Sequence, residues 1–121
     1  MSLGRRISLL FMIFLMGGPA LPPAHANEAQ VLKQARNNEA FNLAVSMTSN
    51  LAMCDFSASQ RRDTDRYRIS ALDLAAQELK VPLAEMKQIV GDFSGKVAQY
   101  QISNGTKEAS CAYHKAWLMG Q

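Results

Sequence analysis

The segment LAEMKQIVGDFSGKVAQY, residues 83–100, carries the most regular hydrophobic pattern in the chain. Its large apolar side chains recur at alternating intervals of three and four residues, which places them along one face of a helix. They are Leu83, Met86, Val90, Phe93, Val97 and Tyr100. Because such a face must pack against other elements, the segment predicts an all-α fold.

Gly91 and Gly95 interrupt this segment on the side away from its apolar face. A glycine inside a helix costs about 1 kcal/mol relative to alanine. We therefore expect each glycine either to admit the close approach of a neighbouring backbone or to mark a kink.

Two further helical segments precede this one. Residues 27–56 carry apolar side chains on more than one side, which is typical of a helix buried by several neighbours, and Asn37-Asn38 is a candidate interruption. The next segment ends at Val81-Pro82, because the residue before a proline avoids the helical conformation, and Pro82 is suited to begin the following helix. The candidate N-caps of this segment are Ser57, Ser59, Asp63 and Thr64.

The last segment, residues 107–120, admits two interpretations. Its alanine-rich composition favours a short helix that follows a turn at Asn104-Gly105. The same dipeptide is also a strong hairpin turn, flanked by alternating apolar residues. We prefer the helix, which predicts a small bundle of three to four helices. The expected core residues are Phe41, Val45, Leu51, Ile69, Leu72, Leu79, Met86, Val90, Phe93 and Val97.

The amino-terminal region has the pattern of a cleaved signal peptide. Arg5 and Arg6 precede a ten-residue stretch, residues 7–16, that is apolar apart from Ser8, and residues 24–26 form a small-x-small cleavage site. The stretch is half the length of about 20 residues that a membrane-spanning helix needs. We expect a signal peptide over residues 1–26, a single helical domain over residues 27–121, and no stable membrane anchor after cleavage.

The charge balance of the expected mature chain argues against a nucleic-acid partner. The chain has 13 basic and 10 acidic residues, and the leader removes Arg5 and Arg6, which leaves a net charge near +1. A near-neutral domain lacks the positive field that attracts polyanions.

Cys54 and Cys111 are the two cysteines of the chain. In an exported small domain, two cysteines normally pair, and closing a loop of this length stabilises the fold by about 4 kcal/mol in the chain-entropy model. We therefore predict a Cys54–Cys111 disulfide that clamps the bundle.

Two alternatives use Cys111 with His114, which lies three residues further on. The pair could serve a small hydrolase as nucleophile and base. Soft ligands could instead bind Cu(I) in a copper carrier. The ligands for that carrier would be Cys54, Cys111, His114 and some of Met47, Met53, Met86 and Met119. We favour neither alternative and expect no cofactor, because no catalytic signature surrounds Cys111 and methionine is a common gap-filler in helical cores.

Two groups of residues are candidates for contact with a protein partner. The first is the basic run Arg61, Arg62, Arg66 and Arg68 with Tyr67, although its interleaved aspartates also predict ion pairs within a solvated helix. The second is the pair Tyr113 and Trp117, spaced four apart on the last helix.

These features predict a non-enzymatic protein-binding or accessory protein of the bacterial cell envelope, either periplasmic or secreted. A small, exported, helical chain with one disulfide is similar in type to accessory proteins of secretion or conjugation machines and to periplasmic acid-stress chaperones. A holdase-like chaperone of that kind would open and expose its apolar face under stress.

Overall fold

A computed structural model describes residues 24–121 of the chain, with side chains from residue 28 onward. This part contains five α-helices and no β-strand, which confirms the all-α prediction. The helices are α1 (Ala24–Ala35), α2 (Glu39–Met53), α3 (Ala58–Leu79), α4 (Leu83–Asn104) and α5 (Lys107–Met119). There are five rather than three or four because the first predicted segment forms two helices, α1 and α2.

The predicted leader, residues 1–26, lies mostly outside the described residues. Only residues 24–26 of it are included, at the beginning of α1. Within residues 24–121, no helix has both the length and the hydropathy that crossing a lipid bilayer requires.

Asn38 separates α1 from α2 and explains why the first segment breaks at this point. Its side-chain oxygen accepts a hydrogen bond of 2.8 Å from the Phe41 N–H, which caps α2. Its side-chain nitrogen donates to Glu78 Oε1 at 2.9 Å. Because Asn38 is fully buried, these bonds hold the first turn of α2 against the end of α3.

Specific residues also set the other helix boundaries. Of the four candidate N-caps of α3, Ser57 takes the role, in a capping box with Gln60. Pro82 is the N-cap of α4, so this helix begins at Leu83, one position after the predicted start at Pro82. Gly105 ends α4 in the left-handed conformation at φ 74°, so Asn104-Gly105 is a helix end and not a hairpin turn.

The main hydrophobic core forms where α1, α2, α3 and α4 meet. Six of the ten predicted core residues are buried in it: Phe41, Val45, Leu72, Leu79, Met86 and Val90. Three more are partly buried against hydrophobic clusters: Leu51, Phe93 and Val97.

Ile69 is the core prediction that is wrong, since this side chain is 53% exposed. The buried face of α3 runs through Thr64, Ala71 and Ala75 before it reaches Leu79. Ile69 lies at the edge of that face. The sequence pattern gave weight to large side chains, whereas small alanines make the close contact between α3 and its neighbours.

The close approach of a neighbouring backbone, one of the two alternatives for Gly91 and Gly95, is not observed. Both residues lie within the continuous helix α4, and a Cβ atom added to either would have nothing within 4 Å. No neighbouring backbone among the described residues therefore requires a glycine at these positions, and the helix is not interrupted there.

We predict that Gly91→Ala and Gly95→Ala each raise the free energy of unfolding by about 0.5–1 kcal/mol, because alanine loses less backbone entropy in a helix. Urea denaturation measures the change. Gly105→Ala is the matched control and should lower stability, because φ is 74° at this position. A loss of stability at position 91 or 95 would contradict the open surroundings seen here.

Candidate functional site

The Cys54–Cys111 disulfide is present, as predicted, and joins the end of α2 to α5. The sulfur atoms are 2.01 Å apart and the Cα atoms 5.6 Å apart. The bridge lies in a second apolar cluster with Met53, Phe56 and Ala98, against which Leu51 packs. Neither cysteine is free, so Cys111 has no thiolate to offer as a nucleophile or a metal ligand.

Three of the four methionines of the copper hypothesis lie apart from one another, whereas Met47 lines the same cavity as His114. Met86 is in the main core, Met53 is in the second cluster, and Met119 is 86% exposed. Among the described residues, no group of three or more His, Cys, Asp or Glu side chains could hold a metal ion. Both cysteine sulfurs of the proposed ligand set are bonded to each other, so in this structure neither is a thiolate ligand beside His114.

His114 occupies the place where α5 crosses α2 and α3. Its Nδ1 atom lies 2.9 Å from Asn50 Nδ2, and its Nε2 atom lies 3.0 Å from Thr64 Oγ1. All three side chains are buried. An amide nitrogen can only donate, so Nδ1 accepts from Asn50 and Nε2 carries the proton that is donated to Thr64. The neutral imidazole therefore links three helices.

Burial makes protonation of His114 unfavourable and lowers the pKa of its imidazole below the ordinary value of 6.5. Protonation would also place a hydrogen on Nδ1, opposite the amide donor of Asn50. Both effects favour the neutral ring in the folded protein.

The sequence did not predict this hydrogen-bond network. Asn50 and Thr64 carried no chemical motif, and only their positions on the inward faces of two helices could have singled them out. The spacing of Cys111 and His114 does indicate structure, although not a catalytic pair. Residues at i and i+3 share a helix face, and this is the face of α5 that packs against α2 and α3.

We predict that the protein loses stability as the pH falls from 6.5, the ordinary pKa of histidine in the unfolded chain, toward the lower pKa of His114 in the folded protein. Across that interval the unfolded chain binds more protons than the folded chain, so the free energy of unfolding falls and then levels off. Urea denaturation between pH 8 and pH 4.5 follows this change.

His114→Gln is the comparison for that experiment. We expect it to be less stable by about 1–3 kcal/mol at pH 8, because the hydrogen bonds to Asn50 and Thr64 are impaired. Its free energy of unfolding should also fall less at low pH, because the contribution of His114 to that decrease is absent. Since His25 and every carboxylate are common to both proteins, identical pH profiles would contradict the assignment to His114.

The aromatic residues predicted to contact a partner meet at α5. Tyr67 of α3 packs edge-on against Trp117 of α5, with ring centroids 5.0 Å apart. Trp117 also lies 6.0 Å from the His114 ring, and Tyr113 is 68% exposed one turn earlier on α5. The structure therefore brings Tyr67, Tyr113 and Trp117 to one region.

Two arginines of the predicted run, Arg62 and Arg66, do not face that region. Arg62 and Arg66 lie two positions to either side of Thr64, about 160° around α3 from the side chain that faces α5. Arg66 is paired with Asp63 at 2.9 Å, and the half-buried Arg68 with Asp65 at 2.7 Å. The Asp65–Arg68 spacing thus forms the expected ion pair. Arg61 and Arg62 are exposed.

A cavity of about 200 Å³ opens between α2 and α5, beside Trp117. We call it the α2–α5 cavity. Leu43, Ser46, Met47 and Asn50 line it from α2, and Ser110, Tyr113, His114 and Trp117 line it from α5. Its volume is below the roughly 300–1,000 Å³ of pockets that enclose a small-molecule ligand. It is better suited to receive a single side chain.

Comparison with known proteins provides no relative. No protein-family model matches the chain, and neither does any curated protein or solved structure.

Proposed function

We propose that this chain is an exported, non-enzymatic binding or accessory protein of the bacterial cell envelope. The leader-like sequence of residues 1–26 supports export, and a disulfide is typical of oxidising compartments such as the periplasm. We further propose that it acts by contact with another protein, as accessory proteins of secretion or conjugation machines do.

The observation that carries the proposal is the exposed Tyr113 beside the α2–α5 cavity. An exposed aromatic side chain next to a small recess is typical of protein interfaces, because the aromatic ring can enter a pocket of the partner and the recess can receive a partner side chain. Two of the residues that line the recess, Asn50 and His114, are hydrogen-bonded to each other. Side chains that are already held in place lose less entropy on association.

The holdase-like alternative has one observation in its favour. His114 is buried in its neutral form, so acid weakens the contact that helps to hold α5. Loosening of α5, which stays tethered through Cys111, would uncover Met53 and Phe56 of the second apolar cluster. This alternative differs from the first in requiring acid for binding.

Site-specific photo-crosslinking in bacterial cells tests the proposal. A photoreactive phenylalanine analogue at position 113 should give a discrete adduct with a protein partner at neutral pH. Position 100 is the matched control, because Tyr100 is also a tyrosine on a helix and is 65% exposed. Adducts that form only below pH 5 would favour the holdase alternative.

Purified partner and protein then allow a quantitative test. Tyr113→Ala should weaken binding by about thirtyfold, the effect of losing an interface hot spot of 2 kcal/mol. Tyr100→Ala should leave the dissociation constant unchanged. Equal adducts at positions 113 and 100, or a catalytic turnover that depends on His114, would contradict the proposal.

A further inference from the structure

A second recess lies on a different part of the bundle, where α1, the following turn and α2 meet α4. Its volume is about 480 Å³, within the range of small-molecule sites. We call it the α1 groove. Leu32 and Phe93 provide its exposed apolar surface, and the buried Phe41 lies behind them, with its ring 6.1 Å from that of Phe93.

The charged residues of the α1 groove are both cations. Lys33 and Arg36 lie three positions apart at its edge and are exposed to solvent. Neither forms an ion pair with any described residue, in contrast to Arg66 and Arg68, whose charges are offset by aspartates. No carboxylate lines the groove, and Glu39, the acidic residue nearest to Arg36 in sequence, is not part of its lining. The charge complement of the groove is therefore an anion.

The backbone around the α1 groove leaves little for an extended peptide to bind. The Asn42 N–H is bonded to the Asn38 carbonyl at 3.0 Å, and the Arg36 carbonyl accepts from the Asn42 side chain at 3.2 Å. The rest of the lining is helical, and it has no strand edge to pair with. A peptide main chain would leave polar groups unpaired here, whereas an alkyl chain has none to satisfy.

We infer that the α1 groove binds a medium-chain fatty acid. Its alkyl chain lies on Leu32 and Phe93, and its carboxylate is held by Lys33 and Arg36. A guanidinium group can bond both oxygens of a carboxylate, and the lysine ammonium adds a second positive charge. This inference is independent of the proposed contact at Tyr113, which lies outside the groove.

Titration of the purified protein with decanoate, kept below its micelle concentration, tests the inference by amide NMR. The expected result is saturable shifts at Leu32, Asn42 and Phe93. Decyltrimethylammonium, which has the same alkyl chain and the opposite charge, should bind at least about tenfold more weakly. Shifts of equal size with both amphiphiles would overturn the role of the cations.

Charge-reversed variants provide the second test. Lys33→Glu combined with Arg36→Glu should weaken decanoate binding by at least about tenfold. Arg61→Glu combined with Arg62→Glu is the matched control, because it makes the same change in net charge at two exposed arginines elsewhere. It should leave the dissociation constant within about twofold, since exposed charges far apart are screened. Equal losses in the two variants would overturn the inference.

Two further probes distinguish other occupants. If decyl phosphate binds the α1 groove more tightly than decanoate, the assignment of a carboxylate is overturned. If a glutamate-rich peptide shifts the same amides while decanoate shifts none, the assignment of a fatty acid is overturned. Thermal melting of each variant confirms that the fold is intact before binding is compared.

Discussion

The attachment of α5 to the bundle depends more on specific bonds than on apolar burial. Cys111 and His114 are the only fully buried side chains of this 13-residue helix. One forms the disulfide with Cys54, and the other bonds to Asn50 and Thr64. A helix this short is marginal in water without tertiary support. The disulfide brings α5 to the surface formed by α2 and α3, and His114 fixes its orientation there.

The proposed binding surface is a consequence of this attachment. Without α5 in place, the α2–α5 cavity has one wall, and Trp117 no longer packs on Tyr67. The main core, in contrast, is built from residues of α1 to α4 together with Val81, which lies in the turn between α3 and α4. Apolar burial therefore stabilises the four-helix bundle, whereas the disulfide and the His114 hydrogen bonds hold the proposed binding surface in place. The α1 groove depends on the main core, since its phenylalanines pack in or against it.

The sequence was sufficient for the features that depend on local pattern. Periodicity predicted the long helix α4, and the cysteine pair predicted the disulfide. Apart from the disulfide, which the count of two cysteines predicted, the sequence was insufficient where residues from separate segments meet. The network of Asn50, Thr64 and His114 forms only where three helices cross, so no local pattern indicates it. The sequence also grouped Arg62 and Arg66 with Tyr67, although the helix places these arginines on another face. Ile69 failed because the contact on α3 is made by alanines, which hydrophobic patterns undervalue.

Amide hydrogen exchange along α5 tests most directly whether the disulfide holds this helix. The comparison is between the oxidised protein and the variant Cys54→Ser with Cys111→Ser. Loss of the bridge removes about 4 kcal/mol in the chain-entropy model, so the α5 amides should exchange about a hundredfold faster or more. The amides of Leu79 and Val90, in the main core, should remain the slowest in the variant. Unchanged protection in α5 would contradict this account.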